Sequence, residues 1–182
     1  VAEDRDWVGI VAAERCPDCG LRASGPARRR LPHAVRAEGD AWAAFLVSAP
    51  AEALRTRPAP GSWSALECGA HVRDVLGVFG ARAERALTEE HPALGWWDHE
   101  AAVVDDRYND QGPADVAAAL QAAASRLASV VEGLDDGGWA RTATRREGEA
   151  FTVEGLVRFA LHEAHHHLRD AARATAAARA QQ

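Results

Sequence analysis

Apolar positions recur along most of this chain with a helical rather than a strand period. From about Leu31 to Ser48, Val35, Ala43, Phe45 and Leu46 form an apolar stripe, and Ala49-Pro50 ends the run. Pro32 suits a first-turn position, where its missing N–H costs little. Residues 55–62 read as a loop. A second helix starts at Ser64, because Ser64-Ala65-Leu66-Glu67 fits the reciprocal capping box. It runs to about Leu87, with Leu66, Val72, Val75, Leu76, Phe79, Ala83 and Ala86 on its apolar face. A long connection from about Thr88 to Gly112 follows. Pro113 opens a third helix that ends near Gly133, before the breaker Asp135-Asp136-Gly137-Gly138. Residues 139–151 have room for a short extended pair. Thr152 is placed to cap a last helix reaching about Ala178, and the Ala/Arg-rich tail from Ala171 to Gln182 reads as a fraying end.

Four substantial helices predict an all-α fold, a four-helix bundle with a long second connection. Two parts are expected: residues 1–30, irregular and holding a Cys-x-x-Cys pair, and residues 31–182, the bundle. The composition agrees. Of 182 residues 47% are hydrophobic, all 21 basic residues are arginine, and β-branched and aromatic residues are thin. A net charge of −6 argues against a general nucleic-acid or anionic-membrane binder. No apolar run approaches the roughly 20 residues of a bilayer span. The acidic start of the chain has no apolar signal core, and three cysteines do not make a disulfide framework, so the expected compartment is the cytoplasm.

The candidate chemistry lies in histidine and cysteine. Four of the eight histidines fall within Leu161-His162-Glu163-Ala164-His165-His166-His167. His162 and His166, at i,i+4, share one helix face and are spaced to hold one ion. A third ligand has to come from another element, and His71, mid-way along the second helix, is the natural candidate. On a helical wheel His162 and His166 lie opposite Val153, Ala160, Ala164 and Ala171, which places such a site at a groove or open end of the bundle. Glu67 and Asp74 flank His71, and Asp170 follows His166 by four residues, as carboxylates able to orient imidazoles. Arg73, Arg169 and Arg173, with Arg145 and Arg146, are candidate anchors for an anionic or polar substrate head. Trp96-Trp97 reads either as a cover over the site or as a cap on the core.

Cys16-Pro17-Asp18-Cys19-Gly20 resembles half of a zinc ribbon. Completion by a twofold partner, by His33 or by Cys68 is open, as are a thiol–disulfide switch and a pair of ordinary thiols. Cys68 reads as a ligand neighbour or as a small core residue.

Trp63-Ser64-x-x-Glu67 followed by His71-Val72-Arg73-Asp74-Val75 resembles the second helix of the DinB-like family, and His162-x-x-x-His166-His167 resembles its last helix. Trp97-Asp98, Asp106-Arg107-Tyr108 and Cys16-Pro-x-Cys19-Gly are similar to an actinobacterial branch. The resemblance covers about residues 5–172. It implies a four-helix bundle with a three-histidine divalent metal site, here His71, His162 and His166. It also implies kinship with S-transferases and a maleylpyruvate isomerase that use thiols such as mycothiol or bacillithiol. The expected protein is therefore an enzyme of thiol transfer or thiol-dependent isomerisation. Its expected partners are a small thiol, with mycothiol as cosubstrate, and an electrophile; neither nucleic acid nor membrane is among them. Zinc comes first as the metal, with nickel, iron or manganese also compatible, and a homodimer is compatible with the composition. The competing readings are a non-catalytic metal or stress-response module with the cysteine pair as structural site or sensor, and a plain bundle with incidental histidines.

Overall fold

A computed structural model describes residues 15–146 and 149–180. Four long helices make the bundle: α1 (Leu31–Ser48), α3 (Ala65–Thr88), α5 (Pro113–Val131) and α7 (Val153–Ala180). Three short ones join them: α2 (Ala51–Arg55), α4 (His99–Asp105) and α6 (Asp136–Ala140). A hairpin of β1 (Thr142–Arg146) and β2 (Glu149–Thr152) precedes α7, paired antiparallel with Thr142 opposite Thr152. None of the described helices is long and apolar enough to cross a membrane.

Around the bundle, α1 packs on α5, α5 on α3, α3 on α7 and α7 on α1, so the consecutive long helices α1 and α3 lie on a diagonal. This order makes α3 and α7 neighbours. It therefore brings the His71 segment against the histidine-rich run.

The local signals act as the chain predicts at several ends. The capping box at Ser64 and Glu67 is complete, with Glu67 N–H donating to Ser64 Oγ (3.1 Å) and Ser64 N–H to Glu67 Oε2 (2.7 Å). Pro113 opens α5, and the extended pair forms. Three expectations change. The connection after α3 is not all loop: Asp98 accepts from Ala101 N–H (3.0 Å) and caps α4. The breaker at 135–138 is itself a start, since Asp135 accepts from Gly138 N–H and caps α6. The tail does not fray within the described residues, because α7 continues to Ala180 and buries Ala171, Ala174, Thr175 and Ala178.

The core anchor of α1 is Trp42, fully buried, while Ala43 and Phe45 are only partly covered. Its indole N–H donates to the Ala164 carbonyl (2.8 Å), which pins α1 to the middle of the histidine run. Residues 15–27 lie along the outer face of α7. Buried Arg158 holds them there, donating to the carbonyls of Ala23 (2.5 Å) and Pro26 (3.0 Å). Glu154 accepts from Arg158 Nε (2.9 Å) and from Arg28 Nε (2.8 Å), which closes the clamp.

Candidate metal centre

Two groups of donors form where α7 meets its neighbours. His71, Glu163 and His167 make one, and Cys16, Cys19, His162 and His166 make the other, with the ligand atoms of each group within 4.8 Å of one another. The expected triad of His71, His162 and His166 is thus divided. The reason lies in α7 itself. Consecutive helical residues are rotated by about 100°, so the i,i+4 pair Glu163/His167 looks toward α3 while His162/His166 looks toward the N-terminal segment. Glu163 and His167 also sit at the border of the apolar stripe rather than opposite it.

In the first group, Glu163 Oε2 lies 3.6 Å from His71 Nε2 and 3.5 Å from His167 Nε2. These separations exceed a good hydrogen bond. They match the edge of a tetrahedron around an ion, about 3.4 Å for donors about 2.1 Å from a common centre. His71 is 3% exposed, and its Nδ1 has no hydrogen-bond partner among the described residues. Burial pushes its pKa down against the pull of Glu163, which keeps the ring in the neutral, metal-binding form. Burial would raise Glu163, but the facing rings of His162, His167 and His71 overrule it and hold the carboxyl well below the usual carboxylate range. Two imidazoles and an ionised carboxylate on adjoining helices are a donor set suited to a divalent cation.

This group stands at the base of a cleft of about 640 Å³. Trp63 packs on both imidazoles, 4.8 Å from the His71 ring and 5.8 Å, stacked, from the His167 ring. Trp97 stacks on His71 at 5.8 Å and 9° and also packs against the hydrophobic core, so it touches both site and core, whereas Trp96 is 69% exposed. His99 and Arg173 line the cleft, and Arg173 pairs with Asp170. Cys68 also lines it but belongs to neither donor group, so it is a small buried neighbour of the site; burial pushes its thiol up to about 12.

In the second group, Cys16 Sγ lies 3.6 Å from His166 Nδ1. Burial would raise the Cys16 thiol, but hydrogen bonds from His162, the Cys19 backbone and His166 bring it down to about 6. Cys19, with burial dominant, is pushed up to about 11. His166 turns its other nitrogen to Asp170 (3.3 Å), which raises its pKa to about 9. The pair finds its further donors within the same chain; His33 is exposed on α1 and Cys68 belongs to the cleft.

The remaining candidates separate cleanly. Asp170 Oδ2 lies 3.3 Å from His166 Nε2 and 3.6 Å from His167 Nδ1, so this carboxylate stands beside both groups. Glu67 does not orient His71: it is buried in the capping box and paired with Arg57. Arg73 and Asp74 pair with each other, and Gln111 and the Tyr108 hydroxyl complete that network away from the cleft. Arg169 is exposed and does not line the cleft. Arg145 and Arg146 lie on β1, with side chains outside the described part. His165 bonds Glu38 on α1 (2.8 Å). Glu163, His167 and Trp63 are the site residues that the spacing of His162 and His166 obscured. The signal that finds them is the second i,i+4 pair, Glu163-x-x-x-His167, on the side of α7 nearer the core.

The family model of the DinB superfamily matches residues 34–171. The chain belongs to the DinB superfamily. No curated protein matches it significantly. Among solved structures it is similar to YfiT from Bacillus subtilis, described as a probable metal-dependent hydrolase with an unusual four-helix bundle topology. The two share 23% identity with a TM-score of 0.70, over 80% of this chain and 86% of that one, a likeness that establishes the fold. For this DinB-superfamily chain, the family resemblance read from the sequence holds, while the placement of its donors follows the geometry above.

Proposed function

We propose that this protein is a divalent-metal-dependent enzyme whose ion is held by His71, Glu163 and His167 and whose nucleophile is a low-molecular-weight thiol. The observation that carries the reading is the convergence of these three donors at the base of a cleft. Two imidazoles and one carboxylate are the protein ligands of a catalytic rather than a closed structural zinc site. The same set suits ferrous iron, but zinc is the first choice because thiol chemistry needs no redox change. A bound divalent ion supplies an acidified water or a deprotonated thiol at neutral pH.

The chain's own residues provide the rest. Asp170 faces His167 Nδ1 and fixes which nitrogen looks inward. Trp63 and Trp97 shield the imidazoles from water. Arg173, 59% exposed on its side chain, puts a cation at the wall of the cleft for a carboxylate or polar head. Thiol transfer or thiol-dependent isomerisation is supported by the family resemblance, and mycothiol is the cosubstrate it favours. Three cysteines in a chain of 182 residues do not make a disulfide framework, which supports a reducing, cytoplasmic setting. Hydrolysis is the second reading, favoured by the two-histidine, one-carboxylate set and by the description of YfiT.

The test is consumption of mycothiol with a reactive haloalkyl electrophile by zinc-loaded protein. Metal-dependent turnover that disappears in His71→Ala supports the reading. Ester hydrolysis without thiol consumption replaces the thiol by water, and the absence of both overturns the enzyme.

A further inference from the structure

We propose that Cys16, Cys19, His162 and His166 form a second, closed metal centre that staples the N-terminal segment to α7. It does not rest on the reading of the cleft. Its donor spacing is Cys-x2-Cys with His-x3-His, the pattern of two-cysteine, two-histidine zinc sites, except that the two halves lie far apart in the chain.

The local backbone supports each half. Gly20, at φ +76°, turns the knuckle, while Gly20 N–H donates to the Cys16 carbonyl and Cys16 N–H to the Leu21 carbonyl, both at 2.9 Å. His162 and His166 are one helical turn apart, with ring centroids 5.4 Å from each other. The 3.6 Å from Cys16 Sγ to His166 Nδ1 matches the tetrahedral edge expected, about 3.5–3.6 Å for a zinc about 2.3 Å from sulfur and about 2.0–2.1 Å from nitrogen.

Charge and burial agree with a metal. Two thiolates neutralise a divalent ion, and a neutral centre suits donors as covered as Cys16 (5% exposed) and His162 (2%). Four protein donors leave no vacant position, unlike the cleft set. Zinc is the metal such a sulfur–nitrogen tetrahedron takes.

The centre also explains an oddity of α7, which carries two histidines on the face opposite its apolar stripe. Residues 15–27 bury little apolar surface there, chiefly Cys16, Ala23 and part of Leu21. An ion at the Cys16 end complements the Arg158 clamp at the Ala23–Pro26 end, where this small apolar area adds little. His162 and His166 alternate along α7 with Glu163 and His167, so the staple also fixes the rotation that aims the cleft donors.

The experiment is metal analysis and cobalt substitution of the full chain. Wild type should bind two ions, with a cobalt–thiolate charge-transfer band. His71→Ala should lose one ion and keep the band; Cys16→Ser/Cys19→Ser should lose one ion and the band. Should that double variant not fold, His166→Cys should bind cobalt with a band about half again as intense, from three thiolates instead of two. A wild-type cobalt spectrum without thiolate character overturns the proposal. So does a Cys16–Cys19 disulfide in anaerobically purified protein, an unchanged ion count in the cysteine variant, or an unchanged band in His166→Cys. Failure of the cleft reading alone would instead show as a normal thiolate band with no change on replacing His71.

Discussion

Arg158→Met tests how the N-terminal segment is attached. Methionine keeps the apolar stem that lies along α7 but removes the donors to the Ala23 and Pro26 carbonyls. A hydrogen bond from a charged donor contributes about 1.5–3 kcal/mol. Two of them at the lower end come to about 3 kcal/mol. Glu154 adds little to the loss because Arg28 still pairs with it. The segment can detach without unfolding the bundle, so the cost should appear first as local opening. In metal-free protein, an opening made about 3 kcal/mol easier raises the reactivity of buried Cys16 toward a maleimide about 10²-fold, at roughly tenfold per 1.4 kcal/mol. Urea unfolding followed by far-UV dichroism should change much less, since α1, α3, α5 and α7 pack on one another independently of this clamp. Equal Cys16 labelling rates in wild type and Arg158→Met would refute the reasoning.

Glu163→Gln keeps the shape of the side chain and removes its charge. It should weaken zinc binding in the cleft by at least about 10–100-fold, the range seen for residues that merely orient ligands, while the cysteine-bound ion remains; competition with a chromophoric chelator measures both. Glu154→Gln should destabilise by about 1–2 kcal/mol near neutral pH, read from urea titrations at several pH values. Despite burial, hydrogen bonds from Arg28 and Arg158 hold the Glu154 carboxyl below its usual range. Its contribution is therefore present above the unfolded pKa of about 4.3 and is lost as pH falls through the folded value, so the two proteins should converge in acid. Gly39→Ala adds a Cβ 2.6 Å from Ala124 Cβ at the α1–α5 contact. The gain in helix propensity is about 1 kcal/mol and overpacking costs about 1–3, so thermal unfolding should occur at a lower temperature than in wild type.

Local rules carried most of the fold into view. The capping box at Ser64, the proline at 113 and the period of the long helices require only residues a few positions apart. What they do not encode is which helices adjoin. The diagonal placement of α1 and α3 depends on contacts between residues far apart in the chain, such as Trp42 with Ala164, and is a tertiary matter. The site shows the same division. His71 and the histidine run were legible as donors, but their grouping depended on a rotation of about 100° along α7. The like pair His162 and His166 masks, in the sequence, the mixed pair Glu163 and His167 beside it. The wheel already placed His162 and His166 opposite the apolar stripe. Their burial becomes intelligible only with residues 15–27 folded over them. Asp74 and Glu67 had helical spacing in their favour, yet Arg73, Tyr108 and Arg57 engage them elsewhere.

The most direct measurement is an anomalous difference map from a crystal of zinc-loaded protein, recorded at the zinc edge. The account predicts a peak enclosed by His71, Glu163 and His167 with one side open to the cleft. A peak shared by His71, His162 and His166, or no peak at the base of the cleft, would contradict it.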